Sequence, residues 1–153
     1  MKYVTEAVDV IRQRVNDTLA VNYTIEEIIN NINTACRFLG LTLIARRAPE
    51  MIASESVVDY SAAPKGFHSF VGQFPVWREG AVLRTSTGNI PVEIRYFCTR
   101  EGVSLLEDKI PYSDDYFDVI VTVAASLLLN RDEFDTSSEK AMIDAIGALL
   151  PRG

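Results

Sequence analysis

Asp114, Asp115 and Asp118 open the stretch YSDDYFDVIVTVAASLLLNRDEFD, residues 112–135, and Asp132, Glu133 and Asp135 close it. Carboxylates four residues apart share one face of a helix, so Asp114 and Asp118, with Asp115 nearby, would suit a hard cation held by oxygen ligands. The helix dipole accounts for the same acids without a metal, because negative charge is stabilised at a helix start. The closing acids resemble a calcium loop only loosely, since the glycine and the distal glutamate of an EF-hand loop are missing. His68, the one histidine, stands beside Ser69 in the loop KGFHSF. That pair begins a nucleophilic arrangement, but no GxSxG elbow presents the serine, and a loop histidine is more commonly just exposed. The eight glycines are scattered and form neither GxGxxG nor GxxxxGK(S/T), the loops that cradle phosphate. Phe67, Phe70, Phe74 and Trp77 form an aromatic cluster in a segment interrupted by glycine and proline. Core packing and a protein interface, where aromatics are enriched, both fit that spacing.

The elements that must position these residues differ between the ends of the chain and its middle. Val4, Val8, Ile11 and Val15 recur at helical intervals with polar residues between them, which predicts an amphipathic helix over about 4–17. Thr24-Ile25-Glu26-Glu27 fits a capping box, and Ile25, Ile28, Ile29, Ile32, Ala35, Cys36 and Leu39 then line one face. Gly40 stands where a left-handed stop residue belongs, so this helix is expected over about 24–39. It is joined to the first by about six residues.

From about 51 to 110 the punctuation is that of β structure. ESVVDY and FPVW are strand-like, while REG at 78–80 and TSTGN at 85–89 are turn signals. IPVEIRYFC, residues 90–98, alternates and is expected to pair with VSLLED, residues 103–108, as a hairpin in one small antiparallel sheet. The intervening YSAAPKGFHSFVGQF has no period and reads as an extended loop or edge segment. Ile110-Pro111 then stops pairing, and Ser113 or Asp114 caps a helix over about 114–130 that is enclosed on most sides. A second capping box, Thr136 to Glu139, opens a last helix over about 137–150. The expected fold class is therefore α+β, a single domain in which terminal helix pairs bundle around the helix at 114–130 with the sheet inserted.

Composition excludes several functions. The chain has 153 residues, 48% hydrophobic and 24% charged, enough for one core without staples. Fifteen basic against 21 acidic side chains give a net charge of −6, which argues against binding that rests on phosphate neutralisation. Arg46-Arg47 and the region around Arg95 and Arg100 read as solvated surface charge. Cys36 and Cys98 fall in no CxxC or Cys/His pattern, so no structural disulfide is expected and a reducing site of synthesis is. MKYVTEAVDVIRQR lacks the continuous apolar core of a signal peptide. The longest apolar run, Val119 to Leu129, is 11 residues, well short of the about 20 that a membrane span needs.

An N-terminal helix pair containing TIEEIINNINTACRFL, a β insertion, the junction LLEDKIPYSDDYFDVIVTVAASLLLNRDEFD and a closing helix resemble, in order and spacing, the head-to-tail adaptor (connector) proteins of tailed bacteriophages. The resemblance covers most of the chain and rests on helix starts and an apolar helix, with no active-site signature. It implies a structural virion protein of the neck, made in the host cytoplasm: a homo-oligomeric ring, commonly of twelve copies, that docks on the portal protein and meets other neck or tail proteins. DNA would pass through without sequence-specific binding, and no enzymatic activity, cofactor, metal or membrane is implied. The family's C-terminal segment often inserts against the portal, which points to Leu149, Leu150 and Arg152; Leu149 to Gly153 is short for that role. Ring closure needs two different patches on each copy, for which the apolar edge of the first helix and the Phe67–Trp77 segment are the candidates. Other readings are a stopper or tail-terminator protein, or a small metal- or ligand-binding α+β enzyme domain with Asp114, Asp118 and His68 at its site.

Overall fold

A computed structural model describes residues 1–130; the expected helix over 137–150, its capping box and Leu149, Leu150 and Arg152 lie outside them. The fold is α+β, as expected. Among the described residues the order is α1 (Val4–Arg14), α2 (Ile25–Ala45), strands β1 (Ile52–Val57), β2 (Ser61–Ala62), β3 (Phe67–Phe70), β4 (Val76–Glu79), β5 (Val82–Thr85) and β6 (Val92–Cys98), then α3 (Phe117–Leu129). Short 3-10 turns precede β1 and α3. The chain divides into two compact units, a helical one made of Met1–Thr42 with the residues from Glu101 onward, and a β unit, Leu43–Arg100.

In the helical unit the apolar stripes are buried. Val4, Ala7, Val8 and Ile11 of α1 are covered, and α1 packs on α3. Seven of the thirteen residues of α3 are buried, over more than half of its circumference. Ile28, Ile32 and Leu39 of α2 are fully buried, each contributing about 2 kcal/mol by removal from water. The α2 capping box forms in both halves: Glu27 N–H donates to the Thr24 hydroxyl (3.1 Å), and Thr24 N–H donates to the Glu27 carboxylate (3.2 Å). Ser113 caps the turn before α3 by accepting from Asp115 N–H.

Three expectations about the helical segments are corrected. α1 ends at Arg14 instead of Val15 or beyond, because Asn16 turns left-handed (φ 57°) and the N–H groups of Asn16 and Asp17 close back on Gln13 and Arg12 carbonyls. The connection to α2 is accordingly longer than six residues. Gly40 does not stop α2: Leu43 and Ile44 are buried and continue the stripe, outweighing the about 1 kcal/mol that glycine costs mid-helix. The stop comes at Arg47 (φ 57°), where Arg47 N–H bonds Ile44 O and Ala48 N–H bonds Leu43 O ahead of Pro49. Finally, residues 103–108 form no strand. Asn33 clamps Val103 through both its N–H and its carbonyl (2.8 Å each), and Leu106 and Asp108 carbonyls accept Thr5 and Val4 N–H, the orphan donors of the α1 start. The backbone that a hairpin needs is already engaged.

The β unit has two three-stranded antiparallel sheets, not one, in the orders β1-β6-β3 and β2-β5-β4. β6 is central because its predicted partner is taken, and β1 and β3 flank it instead. Val57, Ile94 and Tyr96 from one sheet and Val76 and Leu83 from the other share one core. The segment read as loop supplies β2 and β3. REG is a turn as expected: Glu79 pairs with Val82 across Gly80-Ala81, and Gly80 (φ 61°) takes the left-handed position such a two-residue loop requires.

Asp17, buried at 3% exposure, organises the α1–α2 connection by accepting Val21, Asn22 and Tyr23 N–H (2.9, 3.0 and 3.1 Å) and pairing with Arg12 (3.0 Å). These backbone donors, Asn22 foremost, hold its carboxyl below the ordinary 3.8, with Arg12 adding to them. A depressed native value stabilises the fold above the unfolded value and that stability is lost as pH falls through the native one. Asp108, which accepts Ser104 and Leu105 N–H, is depressed likewise. Melting temperature should therefore hold from neutral pH to about 5 and fall below 4. Asp17→Asn, whose amide turns donors toward donors, should melt several degrees lower at neutral pH and show a shallower acid loss in a calorimetric pH series.

Candidate functional site

Asp132, Glu133 and Asp135 lie outside the described residues, and the other residues weighed for chemistry are distributed, each with a local task. Asp114 lies 3.5 Å from the N-terminal ammonium, while Asp118 lies 3.8 Å from Arg14, which also donates to the Thr122 hydroxyl. Asp114 and Asp115 sit in the 3-10 turn and Asp118 in the first turn of α3, the positions favoured by the helix dipole. No group of three or more His, Cys, Asp or Glu suited to a metal occurs among the described residues. His68 belongs to the β unit, away in sequence and in unit from the acids at 114–118. It is exposed on β3, its Nδ1 lies 3.0 Å from the Ser69 hydroxyl, and among the described residues no carboxylate orients the ring. Burial pushes the Cys36 thiol up to about 12 and raises Cys98 as well, the reverse of what a nucleophile needs. Both cysteines are free. No helix among the described residues is long and apolar enough to cross a membrane.

The aromatic cluster separates into two parts. Phe67, Phe70 and Phe74 are half-buried against the shared core, with ring centroids 4.9 Å apart for Phe67–Phe70 and 6.2 Å for Phe70–Phe74, and Phe67 also meets Tyr96 at 5.5 Å. Trp77 leaves the cluster and is 48% exposed. The alternation of β4 explains the split: Val76 points inward, so Trp77 and Glu79 face out.

Register then builds a surface around Trp77. Its partner across the hairpin is Arg84, and cross-strand partners place their side chains on the same face. Arg84 donates from Nε to Asp59 (2.8 Å) and from Nη1 to Glu79 (3.0 Å), and its guanidinium stacks over the Tyr60 ring at 4.1 Å. Tyr60, with a left-handed backbone (φ 67°), is held by its N–H on Leu83 O and is 65% exposed. Asp59 also accepts Thr85 N–H. The Arg84 hydrogen bond is the main reason the Asp59 carboxyl lies below its usual value, and the same bond raises Arg84. Tyr60, Arg84 and Trp77 thus make an aromatic and guanidinium face with its charges paired. Sequence reading missed Tyr60 and Arg84, although the pairing of 77 with 84 follows once the turn is centred on Gly80-Ala81.

A second exposed apolar feature lies in the helical unit. Leu19 and Val21 are 85% and 77% exposed on the connection that Asp17 holds. The apolar edge of α1, by contrast, is spent within its own unit and is withdrawn as a candidate surface.

Charge is uneven as well. Between Leu43 and Arg100 there are seven Lys and Arg against five Asp and Glu, net +2, leaving eight bases and sixteen acids, net −8, for the rest of a chain whose total is −6.

The chain matches no protein-family model and no curated protein sequence.

One backbone position governs how the aromatic segment is held. Gly66 has φ +77°, its carbonyl accepts Thr99 N–H (2.8 Å) and the Thr99 hydroxyl (3.2 Å), and an added Cβ would run into the Thr99 carbonyl oxygen. Gly66→Ala should destabilise the protein by about 2 kcal/mol or more, read as a lower denaturant midpoint.

Proposed function

We propose that this chain is a structural protein of a tailed-phage neck, a head-to-tail adaptor that forms a ring on the portal and contributes to the DNA channel toward the tail. The observation that carries the reading is the division of labour in the fold. Segments on both sides of the β insertion form one helical unit, while the insertion has its own strands and its own core. Such an arrangement suits a ring subunit, which needs two different contact patches on each copy. The charge distribution supports it: the helical unit holds the excess acid, and an acidic wall repels phosphate over about 8–10 Å, so a polyanion slides without adhering. The exposed Trp77 face and the Leu19–Val21 tip are two different patches on one chain, as a head-to-tail contact requires.

The purified chain should sediment as a monomer at micromolar concentration. Mixed with the portal ring of its own virus, it should add a ring of about twelve copies at one end of the portal in electron micrographs. A stable two-fold dimer, a stoichiometric divalent cation in the purified protein, or failure to bind the portal would overturn the reading. Decoration of a different neck or tail part in virions would move it to a stopper or tail terminator.

A further inference from the structure

We propose that the Leu19-Ala20-Val21 tip of one copy docks on the Tyr60–Arg84–Trp77 face of a second copy. The inference deepens the ring reading and rests on it only for closure of the contacts into a circle.

Leu19 and Val21 are among the most exposed aliphatic side chains described, and no described residue of their own copy covers them. Their backbone is nonetheless fixed. Asp17 accepts Val21, Asn22 and Tyr23 N–H, Arg12 bridges Asp17 and the Tyr23 carbonyl, and Asn16 and Ala20 are both left-handed at φ 57°. A tip ordered before it binds loses little chain entropy on docking, which is how a small apolar contact yields net affinity. It is uncharged, and its fit is a surface of aromatic side chains whose charges are already paired.

The aromatic face supplies one. Tryptophan, tyrosine and arginine are the side chains that dominate binding at protein interfaces. Arg84 is already paired with Asp59 and Glu79 and stacked on Tyr60, so an aliphatic tip covering the face strands no charge. A nucleic acid would need free cations there, and the guanidinium is engaged.

Charge selects a second copy as the occupant. The tip belongs to a unit of net −8 and the face to a unit of net +2, so contact between unlike units is steered together, whereas helical unit on helical unit is repelled. Because tip and face are different patches, the contact can run head to tail and leave one of each open at every step, as a ring or a filament does. The patches are small, so a single contact is weak and is populated at high concentration or on a template.

Trp77 is the only tryptophan, so its emission reports burial of this face. Raised from micromolar to millimolar, the full chain should show a blue shift of tryptophan emission that tracks the growth of sedimenting mass. The double variant Leu19→Ser/Val21→Ser, altered only at exposed positions, should keep the wild-type circular dichroism and melting curve yet need at least about tenfold higher concentration for the same shift. Trp77→Ala should lose the mass increase to a similar extent. Mass growth without a blue shift, association of the double variant at wild-type concentrations, or no association up to the solubility limit would each overturn the contact. A chain that rings on the portal with unchanged Trp77 emission keeps the adaptor reading and loses this contact; a chain that associates as described but ignores the portal does the reverse.

Discussion

A helix buried over more than half of its circumference cannot stand alone, and α3 is such a helix. It needs walls, and α1 is one of them, with Arg14 reaching the strip that stays accessible through Thr122 and Asp118. A chain that must bring its beginning to a helix starting at residue 117 has to dispose of what lies between. The solution is a separate β unit with its own apolar core. The two-unit organisation follows from hydrophobic burial, the largest favourable term in folding.

Carboxylates do structural work throughout. Asp17, Asp59 and Asp108 each accept backbone N–H groups where the chain leaves regular structure, and all three are shifted toward the ionised form. A turn that leaves several donors pointing inward carries a desolvation cost, and one ionised oxygen pair satisfies two or three of them at once. The consequence is conformational. The Asp17 turn fixes Leu19 and Val21 in the open, and the Asp59–Arg84 pair fixes the guanidinium on which the Tyr60 ring stacks. Asp17 and Asp59, which fall in no metal-binding or catalytic pattern, thereby hold exposed apolar groups in defined positions.

The legible parts of this chain are those where local chemistry and tertiary demand agree. The Thr24–Glu27 box, the acids before α3, the apolar run of α3 and the REG turn each satisfy their own backbone, and no distant partner competes. The parts that misread are those decided by a distant partner. Gly40 is a stop by local preference, but burial of Leu43 and Ile44 carries α2 past it. VSLLED has a strand's composition, yet Asn33, seventy residues away from Val103, and the α1 start consume its hydrogen bonds. Losing that partner is why β6 pairs with β1 and β3, and why a segment without periodicity becomes strands. For the candidate surface, spacing placed Phe67, Phe70, Phe74 and Trp77 together, but only the pleat of β4 tells that the tryptophan turns outward while the phenylalanines pack.

Two small unlike patches on one chain have a thermodynamic implication that one large patch does not. A self-complementary surface satisfies itself in a pair and stops, so its affinity must be high enough to act at the concentration of free protein. A tip and a face that meet only between different copies remain half satisfied in every open assembly. The last contact in a circle is intramolecular, and its effective concentration is set by geometry instead of by solution. Closure therefore converts a contact too weak to hold a pair into a stable assembly, provided something fixes the curvature. In the proposed adaptor a template ring would supply that curvature, and weak exposed patches with paired charges would keep the free protein dispersed until then. The excess acid of the helical unit works in the same direction, because it keeps free copies apart.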